Sequence, residues 1–215
     1  AASREAKAPH FAPLLERWRH FTPPAPTAPP RRVRLGDDPI PPPDWVIAGE
    51  SADADLAWRP DEPLPAGMPL NGRRFPSVSL PPGSLQALDI GELPVRVADW
   101  MALMRQAAEW LADGGQLMVN IPHFLSFQAW DDPRTRRILT LGALKQLTDA
   151  HIRWGWRESA LILAGHQATL SPQGIALQRQ GRSQEEVLAT PGAVSRLSVT
   201  LVKRRHRALP TAGDA

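Results

Sequence analysis

The sequence predicts an α/β fold in which helices flank a mostly parallel sheet. The clearest sign is an amphipathic helix over residues 100–111, which ends in the turn Asp113-Gly114-Gly115 and leads into an apolar strand over residues 116–121. A helix reversed by glycines into a continuously apolar strand is one half of an α/β unit, and such strands are typical of parallel sheets. The second sign is a series of short apolar runs, separated by turn residues, along the rest of the chain.

The spacing of apolar residues predicts the helix. They recur at three- and four-residue intervals, at Val97, Met101, Met104, Ala108 and Leu111. Asp99 or the preceding loop can cap the first turn. We expect Gly114 or Gly115 to adopt the left-handed conformation, which stops a helix without a Cβ penalty.

Short apolar runs predict the remaining elements in chain order. Strands are expected at residues 33–35, 45–48, 77–80 and 85–90. After the strand at 116–121, a helix is expected at residues 141–150, followed by strands at 159–165, 168–170, 175–178 and 197–203. The loop over residues 59–76 is rich in proline and glycine, and it is long enough to be a partner surface or a lid.

Residues 1–30 are interpreted as an arm and linker, residues 31–207 as one domain, and residues 208–215 as a flexible tail. Residues 9–21 can form a short helix with Phe11 and Trp18 on one side. The prolines over residues 23–30 predict an extended spacer. Such an arm suits docking onto a protein partner, and packing back onto its own domain is an equal alternative.

Composition excludes several kinds of function. The chain has no cysteine, so disulfides, thiolate zinc sites and cysteine nucleophiles are excluded. The net charge is only +3 at pH 7, and the basic residues form two short clusters at strand ends, which argues against nucleic-acid binding. No apolar stretch is long enough to span a membrane, so we expect a soluble protein of the cytoplasm or an organelle matrix.

Several short motifs follow one another between Arg32 and residue 140. They are Arg-Val-Arg-Leu-Gly-Asp-Asp from Arg32, Pro-Asp-Trp-Val-Ile from Pro43, Ala-Asp-Leu from Ala54, Leu-Pro-Pro-Gly-Ser-Leu-Gln-Ala-Leu from Leu80, Ala-Asp-Gly-Gly-Gln-Leu-Met-Val-Asn-Ile-Pro-His from Ala112, and Ala-Trp-Asp-Asp-Pro-Arg-Thr from Ala129. In this order they resemble class I S-adenosylmethionine-dependent methyltransferases, in particular the small methyltransferase-like proteins linked to polysaccharide and lipopolysaccharide assembly. The resemblance implies a Rossmann-like sheet with antiparallel C-terminal strands and S-adenosylmethionine as the cofactor.

The positions that the resemblance assigns to the cofactor depart from the family pattern. Only Gly36 remains of the glycine-rich loop after the first strand, and Asp37 and Asp38 add bulk and negative charge where the cofactor's carboxylate would sit. The acidic residue expected for the ribose falls at Gly49, one residue before Glu50. If S-adenosylmethionine binds, the residues expected to hold it are Gly36, Asp38, Glu50 and Asp89.

Two residues at strand ends are candidates for a general base. His123 follows the fifth strand and Glu92 the fourth, and ligands of open α/β sheets bind at the carboxyl ends of parallel strands. Each has a plainer interpretation, His123 as a polar loop residue and Glu92 as a helix cap or solvated side chain. Asp131 and Asp132 lack a third ligand nearby and are interpreted as a turn signal, so no metal site is predicted.

The motifs that serve folding are kept, whereas positions that would touch cofactor or substrate have changed. The subgroup's two histidines after the fourth strand are absent, and Thr135 replaces a histidine of the later loop. We therefore predict a methyltransferase-fold protein that is non-catalytic and acts as a binding or structural subunit of a larger assembly. Its expected partner contacts are Phe11, Trp18 and the loop around Trp58, with Trp154 and Trp156 as further candidates.

Two other functions stay open. One is an active S-adenosylmethionine-dependent methyltransferase that acts on a glycan or a small metabolite. The other is an unrelated α/β binding module with a basic edge. The cofactor is therefore either none or S-adenosylmethionine.

Overall fold

The computed structural model describes residues 31–36, 45–50, 54–59, 69–70, 78–156 and 159–205. The predicted arm with Phe11 and Trp18, the pair Asp37 and Asp38, and the tail at 208–215 lie outside these residues. The strands of the described part are β1 (Arg32–Leu35), β2 (Val46–Gly49), β3 (Leu56–Ala57), β4 (Pro69–Leu70), β5 (Val78–Ser79), β6 (Leu85–Gly91), β7 (Leu111–Pro122), β8 (Ser159–Leu170) and β9 (Val194–Arg205).

Seven of these strands form one mixed sheet in the order β3-β2-β1-β6-β7-β9-β8. The first five in this order are parallel to one another. The strand β9 runs antiparallel to both of its neighbours, β7 and β8. The predicted Rossmann-like sheet with antiparallel C-terminal strands is confirmed.

Helices connect the strands in the second half of the domain. They are α1 (Leu93–Arg96), α2 (Trp100–Trp110), α3 (Gln128–Asp131), α4 (Leu141–Asp149), α5 (Pro172–Arg179) and α6 (Gln184–Ala189), with a short 3-10 helix over His151–Trp154. The helices predicted at 100–111 and 141–150 correspond to α2 and α4. Within the described residues, no helix has the length and apolar character needed to cross a membrane.

The connection from α2 to β7 differs from the prediction, because α2 ends at Trp110 with an extended residue, Leu111, after it, and the two glycines lie within β7. Asp99 caps the helix, and its Oδ1 accepts a hydrogen bond from the Ala102 amide at 2.9 Å. Gly114 is the residue in the left-handed conformation, with φ +80°. Gly115 is required for a different reason, because a Cβ there would lie 2.7 Å from the Leu85 carbonyl oxygen of β6. The two glycines therefore allow the register shift between Leu111 and Gln116 and the close approach of β7 to β6.

One face of the sheet carries the hydrophobic core. Leu117, Val119 and Ile121 of β7 lie opposite Leu201, Val199 and Leu197 of β9, and all six are buried. They share one core cluster with apolar residues of α2 and α4, which are Leu103, Met104, Ala107, Leu144 and Leu147. The alternation along each strand places the polar or half-buried residues on the other face, where Met118 pairs with Thr200 and Asn120 with Ser198.

Three strand predictions need correction. Residues 175–178 are helical and belong to α5, because Pro172 occupies the first turn and the Ser171 hydroxyl accepts a hydrogen bond from the Gly174 amide at 3.2 Å. The strands expected at 159–165 and 168–170 are one continuous strand, β8. Residues 78–79 form a strand as expected, but it pairs with β4 in a separate two-stranded sheet.

The insertion between β8 and β9, which contains α5 and α6, is tied closely to the sheet. The Ser171 amide donates to the Ala193 carbonyl oxygen at 2.9 Å, and the Ser171 hydroxyl donates to the Gly192 carbonyl oxygen at 2.6 Å. A Cβ on Gly174 would lie only 2.0 Å from the Ala193 carbonyl oxygen. The first turn of α5 is therefore held in backbone contact with the chain that enters β9.

Candidate functional site

The carboxyl ends of the parallel strands meet at one edge of the sheet, which is where open α/β sheets bind ligands. Gly36 follows β1, Glu50 follows β2, Glu92 follows β6 and His123 follows β7. Most of the residues proposed from the sequence therefore lie at one edge. The connections that follow these strands determine which ligand can bind at this edge.

The connection between β1 and β2 is short for two neighbouring parallel strands. Because β1 ends at Leu35 and β2 begins at Val46, only residues 36–45 connect them. Connections between parallel strands usually take a dozen or more residues and include a helix. This one contains Pro39, Pro41, Pro42 and Pro43, and proline is unfavourable inside a helix. Its length and composition do not suit the ligand-holding helix that Rossmann-like folds place after the first strand.

Gly36 itself is explained by its backbone conformation. Its φ is +116°, which side chains rarely adopt, and no other atom lies within 4 Å of the position that a Cβ would take. Its amide donates to the Ala48 carbonyl oxygen at 2.8 Å and so continues the pairing of β1 with β2. Gly36 is therefore accounted for by the end of the strand.

Asp89 is bonded within the protein rather than left open at the edge. Arg34 of β1 donates from Nε to Asp89 Oδ2 at 2.9 Å, and the Gly91 amide donates to Asp89 Oδ1 at 3.0 Å. The Arg34 guanidinium also lies over the ring of Trp45, with 5.7 Å between the guanidinium carbon and the ring centroid. Asp89 thus links β6 to β1 through Oδ2, while its Oδ1 is bonded within β6, so both carboxylate oxygens are occupied.

Glu50 lies at the end of β2 with its side chain 58% exposed. Its Oε1 is 3.6 Å from Nε of Arg59, which is itself largely exposed, so the pair forms a loose surface ion pair. The next strand begins at Leu56, which leaves residues 50–55 as the whole connection between β2 and β3. The second crossover at this edge is therefore even shorter than the first.

Glu92 is the centre of an ion-pair network. One carboxylate oxygen accepts a hydrogen bond from Arg96 of α1, and the other pairs with Arg196 of β9. Arg196 also donates to the side-chain oxygen of Asn120 on β7 at 2.9 Å. Glu92 therefore joins three elements across the carboxyl edge, and both of its oxygens are already bound to guanidinium groups.

Asp132 extends this network on the side of α3. It accepts hydrogen bonds from Arg134 at 3.0 Å and from Arg96 at 3.1 Å. The bonds from Arg134, chiefly from its side chain, lower the pKa of the Asp132 carboxyl to about 2. The pair Asp131 and Asp132 thus ends α3 and forms a turn. Within the described residues, no three histidine, cysteine, aspartate or glutamate side chains are grouped closely enough to hold a metal ion.

His123 is the remaining candidate base. Its amide donates to the Ser195 carbonyl oxygen at 3.0 Å, and its ring lies 4.6 Å from the ring of Phe124. Burial lowers the pKa of the His123 imidazole below 6.5, so the neutral form predominates at pH 7. Nδ1 accepts a hydrogen bond from the Leu125 amide at 3.4 Å, which assigns the proton of the neutral ring to Nε2. His123 in this state is a hydrogen-bond donor.

A cavity of about 670 Å³ lies beside His123, on the helix-covered side of β8 and β9. Residues from the start of α4, from β8 and β9, and from α5 and α6 line it. This cavity is not predicted from the sequence, because the residues of α5 resemble a strand and those of α6 carry no strong apolar pattern. The capping-box pattern at Ser183 and Glu186, which the structure shows to be formed in full, is the signal that could have revealed α6.

The exposed aromatic residues differ from those expected. Trp58 is only 5% exposed and lies in the core, because its amide donates to the Gly49 carbonyl oxygen and continues the pairing of β2 with β3. Trp58 therefore cannot supply a partner surface, and Trp156 is also buried, whereas Trp154 is 42% exposed. The most exposed aromatic side chains in the described residues are Phe127 at 68% and Trp130 at 71%.

Comparison with known proteins found similar solved structures and no match by sequence. No protein-family model matches the sequence, and no curated protein matches it. Among solved structures, an S-adenosylmethionine-dependent methyltransferase from Archaeoglobus fulgidus is 11% identical, with a TM-score of 0.45 over 88% of this chain and 92% of that one. One from Mesorhizobium loti is 12% identical, with a TM-score of 0.43 over 91% and 97%.

A third solved structure, the geranyl diphosphate C-methyltransferase of Streptomyces coelicolor, is 10% identical, with a TM-score of 0.46 over 82% of this chain and 73% of that one. These proteins are what the chain is similar to in fold. The architecture described above is a class I methyltransferase-like, Rossmann-like fold.

Proposed function

We propose that this protein has a methyltransferase fold without methyltransferase activity, and that it acts as a binding or structural subunit of a larger assembly. The observation that carries the proposal is the short connection between β1 and β2, residues 36–45 with four prolines. Methyl transfer depends on holding donor and acceptor in alignment. A fold that cannot hold the donor loses the reaction even when its sheet is intact.

The other residues at this edge support the same conclusion. Asp89 uses both carboxylate oxygens within the protein, and Glu50 is paired with Arg59 on the surface. Of the described residues assigned to the cofactor, Asp89 is therefore already occupied, which supports the loss of S-adenosylmethionine binding. The two candidate bases also have partners within the protein, since Glu92 is bound to two arginines and Nδ1 of His123 accepts a hydrogen bond from the Leu125 amide.

The exposed aromatic residues offer a contact surface for a protein partner. Phe127 and Trp130 lie on one turn beside Phe124, whose carbonyl oxygen accepts a hydrogen bond from Trp130 Nε1 at 3.2 Å. Interface hot spots are rich in tryptophan, and a side chain fixed in this way loses little freedom on binding. We propose this patch as a contact with an apolar surface of a protein partner. The N-terminal arm with Phe11 and Trp18 is proposed as a second contact.

Calorimetric titration with S-adenosylmethionine and S-adenosylhomocysteine tests the loss of the cofactor. We expect no heat of binding up to millimolar ligand with the full chain. Micromolar binding of either compound would overturn the proposal and would favour the alternative, an active methyltransferase.

The mass of the particle isolated from its native source tests the assembly. We expect a mass well above the 23.6 kDa of the chain. The double variant Phe127→Ser and Trp130→Ser should lower that mass, whereas Ile162→Ser with Ile175→Ser, two other exposed apolar residues, should leave it unchanged. Recovery of the native protein as a free monomer would contradict the assembly.

A further inference from the structure

The cavity beside β8 is a second binding site. The positions assigned to the cofactor belong to β1, β2 and β6, whereas β8 is the outermost strand at the other end of the sheet, and His123 at the end of β7 borders both. We propose that this cavity binds a small organic carboxylate with an apolar body. The proposal does not depend on the proposed loss of methyltransferase activity.

The size of the cavity suits a small molecule. Its volume of about 670 Å³ falls within the range of about 300–1,000 Å³ that is usual for ligand sites. Its walls come from three parts of the chain, namely the start of α4, the strands β8 and β9, and the pair α5 and α6. The backbone contacts of Ser171 and Gly174 with residues 192–193 hold the third wall in place.

The inner wall of the cavity is apolar. Leu139, Val187 and Leu197 line it and are 6%, 3% and 6% exposed. Ala168 and Leu170 of β8 continue this surface and are half-buried. A ligand that fills the inner part must therefore present carbon atoms, because a polar group placed there would lose its hydrogen bonds to water.

The charge of the lining is positive. Arg182 is the only charged side chain among the lining residues, and no carboxylate is among them. Its side chain is 58% exposed, and its Nη1 lies 3.5 Å from Oε1 of Glu186, the one ion-pair partner that it has in the described residues. A guanidinium has five donors in a fixed fork, so most of them remain available to a ligand. This fork matches a carboxylate in two parallel hydrogen bonds.

Imidazole rings and side-chain amides complete the polar side of the cavity. His123 and His166 both line it, together with the side-chain amides of Gln178 and Gln184. His123 presents an N–H from Nε2, as argued above. Donors without any lining carboxylate favour an anion over a cation, and a single guanidinium favours a group of one negative charge. A carboxylate attached to a hydrocarbon body can bind the donors on the polar side of the cavity and fill its apolar inner part.

Titration of the full chain with decanoate tests the site, with decanol and decyltrimethylammonium as comparison ligands. We expect saturable binding of decanoate below millimolar concentration, weaker binding of decanol, and the weakest binding of the cation. The cation binding as tightly as decanoate would overturn the proposal, and so would the absence of saturable decanoate binding.

Two variants locate the bound carboxylate. Arg182→Gln should weaken decanoate binding by about tenfold, as expected for loss of a charge-assisted hydrogen bond, and leave decanol binding unchanged. Arg179→Gln is the matched control, since Arg179 is exposed at the end of α5 and does not line the cavity. Equal decanoate affinity in both variants would overturn the role of Arg182. Ala168→Phe should block both ligands by filling the cavity, and an unfolding curve for each variant shows that it is folded.

Discussion

Gly115 offers a direct test of how β7 approaches β6. An alanine Cβ there would lie 2.7 Å from the Leu85 carbonyl oxygen and 2.9 Å from the Ala112 carbonyl oxygen. Both atoms belong to the backbone, so neither can move aside as the end of a flexible side chain would. We expect Gly115→Ala to destabilise the protein by about 2 kcal/mol, in the range usual for overpacking. For a domain of this size, that lowers Tm by roughly 4–8 °C.

Two other glycines provide matched controls. In Gly142→Ala, at the start of α4, the new Cβ would lie 3.6 Å from the Thr140 hydroxyl, which is an ordinary contact, so stability should stay the same or rise by up to about 1 kcal/mol. In Gly114→Ala, nothing lies within 4 Å, but the φ of +80° should cost about 1–2 kcal/mol. Urea unfolding measures the free energy of unfolding of all three variants, provided that its dependence on urea concentration has the same slope in each. If Gly115→Ala and Gly142→Ala are equally stable, β7 does not approach β6 as closely as described.

Two further predictions concern titratable groups. The Asp132 carboxyl has a pKa of about 2 against a usual 3.8, so its stabilising contribution is present above pH 3.8 and is lost as the pH falls through about 2. Arg134→Ala should return this pKa towards 3.8 in a carbon NMR titration, and an unchanged value would exclude Arg134 as the cause. Lys203 is buried, and its Nζ donates to the Leu111 carbonyl oxygen at 2.7 Å. Burial lowers the pKa of Lys203 in the folded protein below the usual 10.5. Between these two pKa values the unfolded chain binds more protons than the folded one, so the free energy of unfolding should rise with pH over this range. Lys203→Met should remove this rise and stabilise the protein at neutral pH in urea unfolding, and a rise that persists in the variant would contradict the assignment.

Local signals were enough to predict the central part of the fold. The apolar spacing of α2 and the cap at Asp99 each act over a few residues, and the structure confirms both. Gly114 has the predicted left-handed conformation, but it lies within β7 and does not end the helix. The same holds for β9, where buried and half-buried residues alternate along the strand. Elements whose hydrogen bonds and apolar stripes are encoded within one segment can be identified without knowledge of their neighbours.

The errors arose where a segment's environment decides its structure. Residues 175–178 are apolar enough for a strand, but the cap at Ser171 and Pro172 starts a helix just before them. Trp58 falls next to a predicted irregular loop in the sequence, yet pairing with β2 places it in the core. The cavity could not be predicted at all, because His123, Arg182 and Leu197 come from separate elements that only the folded chain brings together.

The titration with S-adenosylmethionine and the titration with decanoate test different parts of the molecule. The cofactor edge depends on the connection between β1 and β2, whereas the cavity depends on the insertion between β8 and β9, at the other end of the sheet. If the protein binds decanoate and does not bind S-adenosylmethionine, the methyltransferase-like sheet serves as the scaffold of a site for a different ligand. A protein that binds both would join a donor site to an apolar acid, and the carboxylate would then be a candidate methyl acceptor. Because His123 lies at the carboxyl end of β7 and also lines the cavity, it is the residue through which the second outcome would connect the two sites.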